Sequence, residues 1–278
     1  MKKINKIAIY HRGDNPKAII WEVKIKKWLK IKYPEIQIDQ KNPNIVIVLG
    51  GDGTILDATH IYKKSNPIFF GLNLGHVGFL ASVRSPKDFL AGLDRLIVGD
   101  YHLTKRMMLK AGIIRDGIKI IEKNALNEVV VQNVLSVSRL EVWIDGHLTQ
   151  EVKGGGVLVS TGTGSTAFNL SLHGPIVMPD IRCFVVTEML DHNTPTPSIV
   201  VKRTKSVRIV IKSFRKRGEL LMAGTLEPVD MVMTADGAVI CPLEVKDEII
   251  ISEGRSVRIA EIDKDYFFKS VKSKFSFH

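Results

Sequence analysis

NIVIVLGGDGTILDAT, residues 44–59, sets an apolar run against two glycines, an aspartate and a third glycine, after which a helical pattern begins. Residues 44–49 read as a buried strand, and Ile55, Leu56, Ala58, Ile61 and Tyr62 recur at helical spacing between Thr54 and Lys64. The glycines in between let successive backbone N–H groups face outward, and the helix that follows adds its positive N-terminus, so the turn suits a phosphate. It is neither the eight-residue loop ending in Gly-Lys-Ser/Thr nor the GxGxxG turn of dinucleotide folds. Asp52 is the odd residue, because a carboxylate repels phosphate unless a metal ion intervenes or the carboxylate has a proton to take. It is the candidate general base, set against the plainer reading that Asp-Gly makes a tight bend.

The flanking segments extend the pattern. KIAIY reads as a short strand, and AIIWEVKIKKWLKIKYP as a helix with Ile20, Val23, Trp28 and Ile31 near helical spacing, ended by Pro34. PIFFGLN is a further strand, so strand, helix, strand, helix, strand predicts a parallel sheet with helices on its faces. SPKDFLAGLDRLIVGDY reads as a capped helix, with Ser85 as N-cap, Pro86 at the first helical position and Gly99 past the end. From about residue 101 to 260 short β-rich runs take over, ALNEVVV, RLEVWID, GVLVST, SVRIVI and EIIIS among them. The tail DKDYFFKSVKSKF spaces Phe267, Val271 and Phe275 four apart, the mark of an amphipathic helix. The expected fold class is α/β, with an N-terminal Rossmann-like parallel-sheet domain at 1–100 and a β-rich, β-sandwich-like domain at 101–260. A C-terminal helix within 261–278 is expected to pack back on the body.

A chain of 278 residues with 45% hydrophobic and 25% charged residues has globular composition. No apolar run approaches the ~18 residues of a membrane span, and the start MKKINKIAIY leads straight into a strand, so the expected location is cytoplasmic. Cys183 and Cys241 lie in apolar stretches without metal-ligand spacing and read as small buried hydrophobes. The net charge of +11 suits a polyanionic partner such as a nucleotide or polyphosphate. No aromatic-basic motif of the nucleic-acid modules accompanies it, which argues against a nucleic-acid partner. The most basic stretch, VKRTKSVRIVIKSFRKR at 201–217, alternates like a half-buried strand and reads as a solvated outer sheet face.

Three further segments carry polar residues where a packed core would not tolerate them without partners. ALNEVVV, residues 125–131, places Asn127 and Glu128 in an otherwise apolar strand, where each unpartnered group costs about 1–3 kcal/mol. Residues 153–179, KGGGVLVSTGTGSTAFNLSLHGPIVMP, give a strand and then a hydroxyl-rich turn with a helical start at Thr166–Leu170, a cradle for sugar and phosphate oxygens. TADGAVI at 234–240 reads as an ordinary Asp-Gly hairpin turn.

Gly50-Gly51-Asp52-Gly53-Thr54 resembles the GGDGT signature of a kinase superfamily that includes NAD kinases and the diacylglycerol and sphingosine kinases. LNLGHVGFL at 72–80 is similar to the N-x-G-x-x-G-F-L segment of NAD kinases, and residues 153–179 resemble their TPTGSTAYSLSAGGP signature, which the lipid kinases lack. The resemblance runs from about residue 45 to 240 with motif order intact. It implies transfer of the terminal phosphoryl group of ATP, or of inorganic polyphosphate, to the adenosine ribose 2′-hydroxyl of NAD, giving NADP.

By the same resemblance Asp52 is the catalytic base, and Gly51, Gly53 and Thr54 position phosphates. Phe79 lies beside the nucleotide, and Asn127 and Glu128 hold its adenosine part. Lys153, Gly155, Thr163, Thr166, Ala167, Phe168 and Ser171 complete the nucleotide site. Mg²⁺ is expected on the donor phosphates, with no metal ligands from the protein. The family also implies a homodimer or homotetramer and no membrane partner.

Departures from the family pattern keep alternatives open. Gly155 stands where the family has Asp, Phe168 where it has Tyr, and Gly162 where it has Pro. A non-catalytic NAD(P)-binding homologue and a lipid kinase are the alternative readings.

Overall fold

The computed structural model describes residues 4–75, 78–190, 196–222 and 228–275. The chain divides into two compact units, Met1–Arg106 with Val257–His278, and Met107–Ser256. The sequence-based divisions at 100 and 260 fall on either side of these, and residues 257–260 group with the first unit.

The first unit runs β1 (Lys6–Tyr10), α1 (Pro16–Lys32), β2 (Gln37–Ile38), β3 (Ile45–Leu49), α2 (Asp52–Ile61), β4 (Ile68–Leu72) and α3 (Phe89–Val98). β1 pairs in parallel with β2 and β3, and β3 with β4, as strands joined by helical crossovers must. β3 is buried at every position. Alternation sends Ile7, Ile9, Ile45, Ile47, Leu49, Phe70 and Leu72 to one face, where they pack with Ala18, Ile25 and Leu29 of α1 and Phe89, Leu93 and Leu96 of α3. Gly71 points to the opposite face, where a Cβ would come within 2.6 Å of Ile55 Cδ1, so α2 covers that face closely.

α1 has the expected span but a different buried face. Ile20, Val23 and Ile31 are exposed, while Ala18, Ile25 and Leu29 are buried. The Asn15 side chain accepts from the N–H groups of Lys17 and Ala18 and Pro16 opens the helix, both favourable at an N-terminus. α3 begins four residues later than Ser85 because Pro86–Asp88 form a 3-10 turn, and it ends at Gly99 in the left-handed conformation.

The second unit is antiparallel, as short strands joined by tight turns favour. After β5 (His102–Arg115) come β6 (Ile118–Ala125), β7 (Glu128–Asn133), β8 (Ser138–Ile144), β9 (His147–Gly154), β10 (Gly156–Thr161), α4 (Phe168–Ser171) and β11 (Cys183–Met189). β12 (Ile199–Lys202), β13 (Val207–Phe214), β14 (Met231–Ala235), β15 (Ala238–Pro242), β16 (Glu248–Glu261) and α5 (Tyr266–Phe275) follow. One sheet has the order β12-β11-β10-β7-β14-β15. β16 pairs β13, which pairs β8, which pairs β9, and their inward residues share one core with the first sheet, including Val129, Val131, Val157, Val159, Val142, Ile209 and Ile249. This is a sandwich of two sheets. The end of β16 pairs in parallel with β4, and α5 also belongs to the first unit.

The basic stretch behaves as a solvated face. Val207, Ile209 and Ile211 are buried, while Arg208 meets Glu248 and Lys212 meets Glu141 at 2.8 Å. Cys183 is buried and Cys241 is half-buried against the sandwich core.

Candidate functional site

In the first unit the loops after β1, β3 and β4, at the carboxyl edge of the parallel sheet, contribute to one cleft. Arg12, Asp14, Asn15 and Pro16 follow β1, Gly50, Gly51 and Thr54 follow β3, and Leu74 and Gly75 follow β4, around a cavity of about 390 Å³. The carboxyl edge is where ligands bind in open parallel sheets, because the crossover loops diverge there. The N-termini of α1 and α2 both reach this cleft with their positive dipole ends; the first N–H groups of α1 are taken by Asn15, whereas no side chain caps α2. Arg12 adds a full charge, steadied by Asp57 at 2.7 Å. The glycine turn is packed tightly from behind, since a Cβ on Gly50 would lie 2.3 Å from Thr54 Oγ1. Gly53 is exposed and Thr54 buried.

Asp52 opens α2, and its carboxylate turns to the loop after β4. Oδ2 accepts from Phe79 N at 2.8 Å and Oδ1 from Leu80 N at 3.1 Å. Gly78 lies flat on the carboxylate: a Cβ there would be 2.1 Å from Oδ1. Burial pushes the Asp52 carboxyl above its usual value, opposed by these two N–H donors and by the charges of Lys274 and Arg106. A carboxylate made more basic by burial yet still anchored is suited to accept a proton. Phe79 is buried, with its ring 5.9 Å from that of Phe267. His76 and Val77 of the same motif lie outside the described residues.

In the second unit Asn127 and Glu128 stand at the start of β7, with Asn127 just outside the strand. Both are buried. The Asn127 carbonyl accepts from Thr161 N at 2.9 Å. Gly164 presses on the same residue, since a Cβ there would meet the Asn127 carbonyl oxygen at 2.2 Å. Phe168 N–H donates to the Glu128 carboxylate, whose Oε2 is buried with no hydrogen-bond partner among the described residues. Burial, helped by the nearby Asp236 charge, pushes the Glu128 carboxyl up to about 7.

Residues Thr161–Ser171 wrap this pair through internal hydrogen bonds. Thr161 Oγ1 donates to the Leu126 carbonyl at 2.6 Å and accepts from Gly164 N at 3.1 Å. Ser165 Oγ donates to the Gly162 carbonyl at 2.7 Å. Thr166 donates to the Thr163 carbonyl, and Thr163 and Thr166 are buried. Ala167 is half-buried, whereas Phe168 and Ser171 are exposed. Most hydroxyls in this loop therefore hold the loop itself, and the outward groups are fewer than the sequence suggests.

Lys153 and Gly155 are not brought to this cluster. Glu128 pairs Ser160 while Gln132 pairs Gly156, so Gly155 lies at the far end of β10, about 16 Å along the strand. Its N–H is bonded to the Met189 carbonyl at 2.8 Å. Lys153 is exposed on β9 beside Arg139, Glu141, Glu151 and Lys212.

The sequence favours a plain hairpin turn for Asp236, although TADGAVI also resembles the family's Asp-Gly turn, with Asp236 and Gly237 kept. It does occupy a hairpin turn between β14 and β15, with φ 48° followed by Gly237 at 79°. Its carboxylate also accepts from Leu126 N and Asn127 N at 2.7 Å each and from Glu128 N at 3.3 Å. The Asp-Gly motif carries the turn signal, and no local signal marks a bond to residues 108–110 positions away.

The Glu128 carboxyl has a thermodynamic consequence. A group raised from 4.5 to about 7 binds more protons in the folded chain than in the unfolded one, so stability falls as pH rises through that window and levels off above it. In urea unfolding across this range, Glu128→Gln is expected to remove that part of the decline. Parallel pH dependences for the two proteins would show that Glu128 titrates normally.

An anion cleft at the carboxyl ends of parallel strands, with a carboxylate held next to it, is the arrangement of a nucleotide-dependent phosphotransferase. The ATP-NAD kinase N-terminal domain family model matches residues 6–101, and the ATP-NAD kinase C-terminal domain model matches 126–256. The NAD kinase of Lachnoclostridium phytofermentans is 31% identical, over 89% of this chain and 85% of its own. The chain belongs to the NAD kinase family, and the lipid-kinase alternative is not favoured.

Two solved structures share the fold. Yeast NADH kinase complexed with NADH superposes with a TM-score of 0.87 at 20% identity, covering 100% of this chain and 89% of the yeast one. The NAD kinase from Archaeoglobus fulgidus in complex with ATP gives 0.71 at 21% identity, covering 96% and 99%. No helix among the described residues is long and apolar enough to cross a membrane.

Proposed function

We propose that this protein transfers the terminal phosphoryl group of ATP, or of inorganic polyphosphate, to the adenosine ribose 2′-hydroxyl of NAD, yielding NADP and the shortened donor. The observation that carries the reading is the anchored Asp52 carboxylate, raised by burial and one residue past the glycines of the cleft. Each of its oxygens accepts one backbone N–H and keeps a second lone pair, which is available to the hydroxyl. As the 2′-oxygen attacks the terminal phosphorus, Asp52 takes the hydroxyl proton and the bond to the donor's bridging oxygen breaks.

Gly51, Gly53 and Thr54 form the phosphate-facing segment, with Arg12 and the two helix N-termini as neighbours in the cleft. Gly51 and Gly53 offer backbone N–H groups, whereas the Thr54 N–H is already bonded to the Gly51 carbonyl. Mg²⁺ carried on the donor phosphates would offset the repulsion between them and Asp52. Asn127 and Glu128 orient the adenosine, with the Thr163–Ser171 loop around them. The NADH and ATP bound in the two structural neighbours agree with these substrate classes. The proposal extends to a homodimer or homotetramer working in the cytoplasm.

The deciding assay incubates the protein with NAD or NADH, Mg²⁺ and either ATP or polyphosphate, and measures NADP(H) with an NADP-specific dehydrogenase. NADP from at least one donor is the expected result. Its absence with both donors would leave a non-catalytic binding homologue.

Gly155 gives a finer test. A Cβ there meets nothing closer than the Met189 carbonyl at 3.4 Å, so Gly155→Asp is expected to fold. NAD extending from the Asn127–Glu128 cluster along β10 would reach this position, and the change is then expected to alter KM for NAD more than kcat, as a contact to ground-state substrate does. An unchanged KM would remove position 155 from the nucleotide site.

A further inference from the structure

The buried face of α5 reaches the loop that holds Asp52. The Gly78 carbonyl accepts from Tyr266 Oη at 3.2 Å and from Ser270 Oγ at 3.1 Å. Tyr266 is 5% exposed and Ser270 is fully buried, so neither bond competes readily with water. Arg84 Nη2 donates to the Tyr266 carbonyl at 2.8 Å and to Ser270 Oγ at 2.7 Å, which leaves the serine proton for Gly78. The Arg84 guanidinium also lies 4.4 Å from the Tyr266 ring centroid, and Lys274 Nζ lies 5.2 Å from that of Phe79.

The carbonyl of Gly78 and the N–H of Phe79 belong to one peptide plane. Because that unit is rigid and trans, fixing the oxygen fixes the direction of the N–H on its opposite side. That N–H is the 2.8 Å donor to Asp52 Oδ2. Hydrogen bonds to the oxygen also polarise the peptide and strengthen the donor.

We propose that α5 is a positioning element for phosphoryl transfer: Tyr266 and Ser270 hold the Gly78–Phe79 peptide plane and through it orient the Asp52 carboxylate. The inference rests on Asp52 acting as the base. Both side chains are buried, so their effect on the reaction is assigned to the carboxylate they help to orient.

The test is a double-mutant cycle on the full chain, with NADP formation as readout. Tyr266→Phe keeps the ring over Arg84 and loses the hydroxyl, and Ser270→Ala loses the second donor. Together they are expected to lower kcat about tenfold, with KM for NAD and for ATP within about twofold of the parent. In an Asp52→Asn background the same pair is expected to change the residual turnover by less than about twofold, because the group being positioned is gone. A general weakening of the fold would lower turnover equally in both backgrounds.

A kcat within about twofold of the parent, or an equal loss in both backgrounds, overturns the role of the helix. If the double variant fails to fold, Tyr266→Phe alone carries the cycle, with an expected loss of about fivefold. Parental turnover in Asp52→Asn itself would overturn the base assignment as well, which separates the two failures.

Discussion

Asp52→Asn is expected to lower NADP formation by at least about a hundredfold, the scale on which a positioned base contributes. Asparagine has nearly the same shape but no basic oxygen to take the 2′-hydroxyl proton. It also has one acceptor oxygen where the carboxylate uses two, for Phe79 N and Leu80 N. One N–H is then left facing an amide NH₂, a loss of about 1–3 kcal/mol.

The change therefore also costs stability, because the carboxylate anchors a loop as well as serving chemistry. The loss falls at the lower end of that range, because burying a charge already costs the parent, as its raised pKa indicates. Steady-state rates taken well below the melting temperature, alongside thermal unfolding, separate the two effects. A folded Asp52→Asn protein with near-parental turnover would remove Asp52 from the chemistry.

Asp236→Ala is expected to destabilise the second unit by about 3 kcal/mol and to raise KM for NAD at least about tenfold. Three N–H groups, of Leu126, Asn127 and Glu128, lose a charged acceptor at once. Alanine also tolerates the positive φ of 48° poorly, which adds about 1 kcal/mol. Asp236→Asn accepts that backbone and retains one acceptor, so its loss should be near half as large. The Glu128 carboxyl should titrate lower in both, since the neighbouring negative charge that raises it is gone. Urea unfolding and NAD titration of the two variants check the order. Equal behaviour of parent and Asp236→Ala would reduce Asp236 to the hairpin turn that its sequence suggests.

These residues show how much of the molecule is written locally. The strands and helices of the first unit follow from apolar runs, caps and glycines close in sequence; β3 lies where residues 44–49 place it, while α2 opens at Asp52 rather than Thr54, so that only Gly50 and Gly51 form the turn. Ile55 and Ala58 of α2 and Tyr62 at its C-cap are buried, in keeping with the sequence pattern, but the buried faces of α1 and α5 were not legible. α1 has apolar residues on several sides, so its periodicity leaves the phase open, and contact with β-strand residues selects Ala18, Ile25 and Leu29. In α5 the spacing of four fits Phe267, Val271 and Phe275, yet Tyr266 and Ser270 are the buried residues. Their hydroxyls find the Gly78 carbonyl, 188 and 192 positions away.

What the sequence by itself determined is the order of elements and the family motifs, the GGDGT turn, the Asn127–Glu128 pair and the hydroxyl-rich loop, because each depends on neighbours a few residues apart. Only the tertiary structure decided that Asp52 is held by Phe79 and Leu80, that Asp236 braces Asn127 and Glu128, and that Gly155 lies at the other end of β10 from Glu128. Those facts are set by hydrogen bonds and strand register between distant segments. A burial pattern or a turn motif states that a polar group needs a partner, and the packed fold supplies which one.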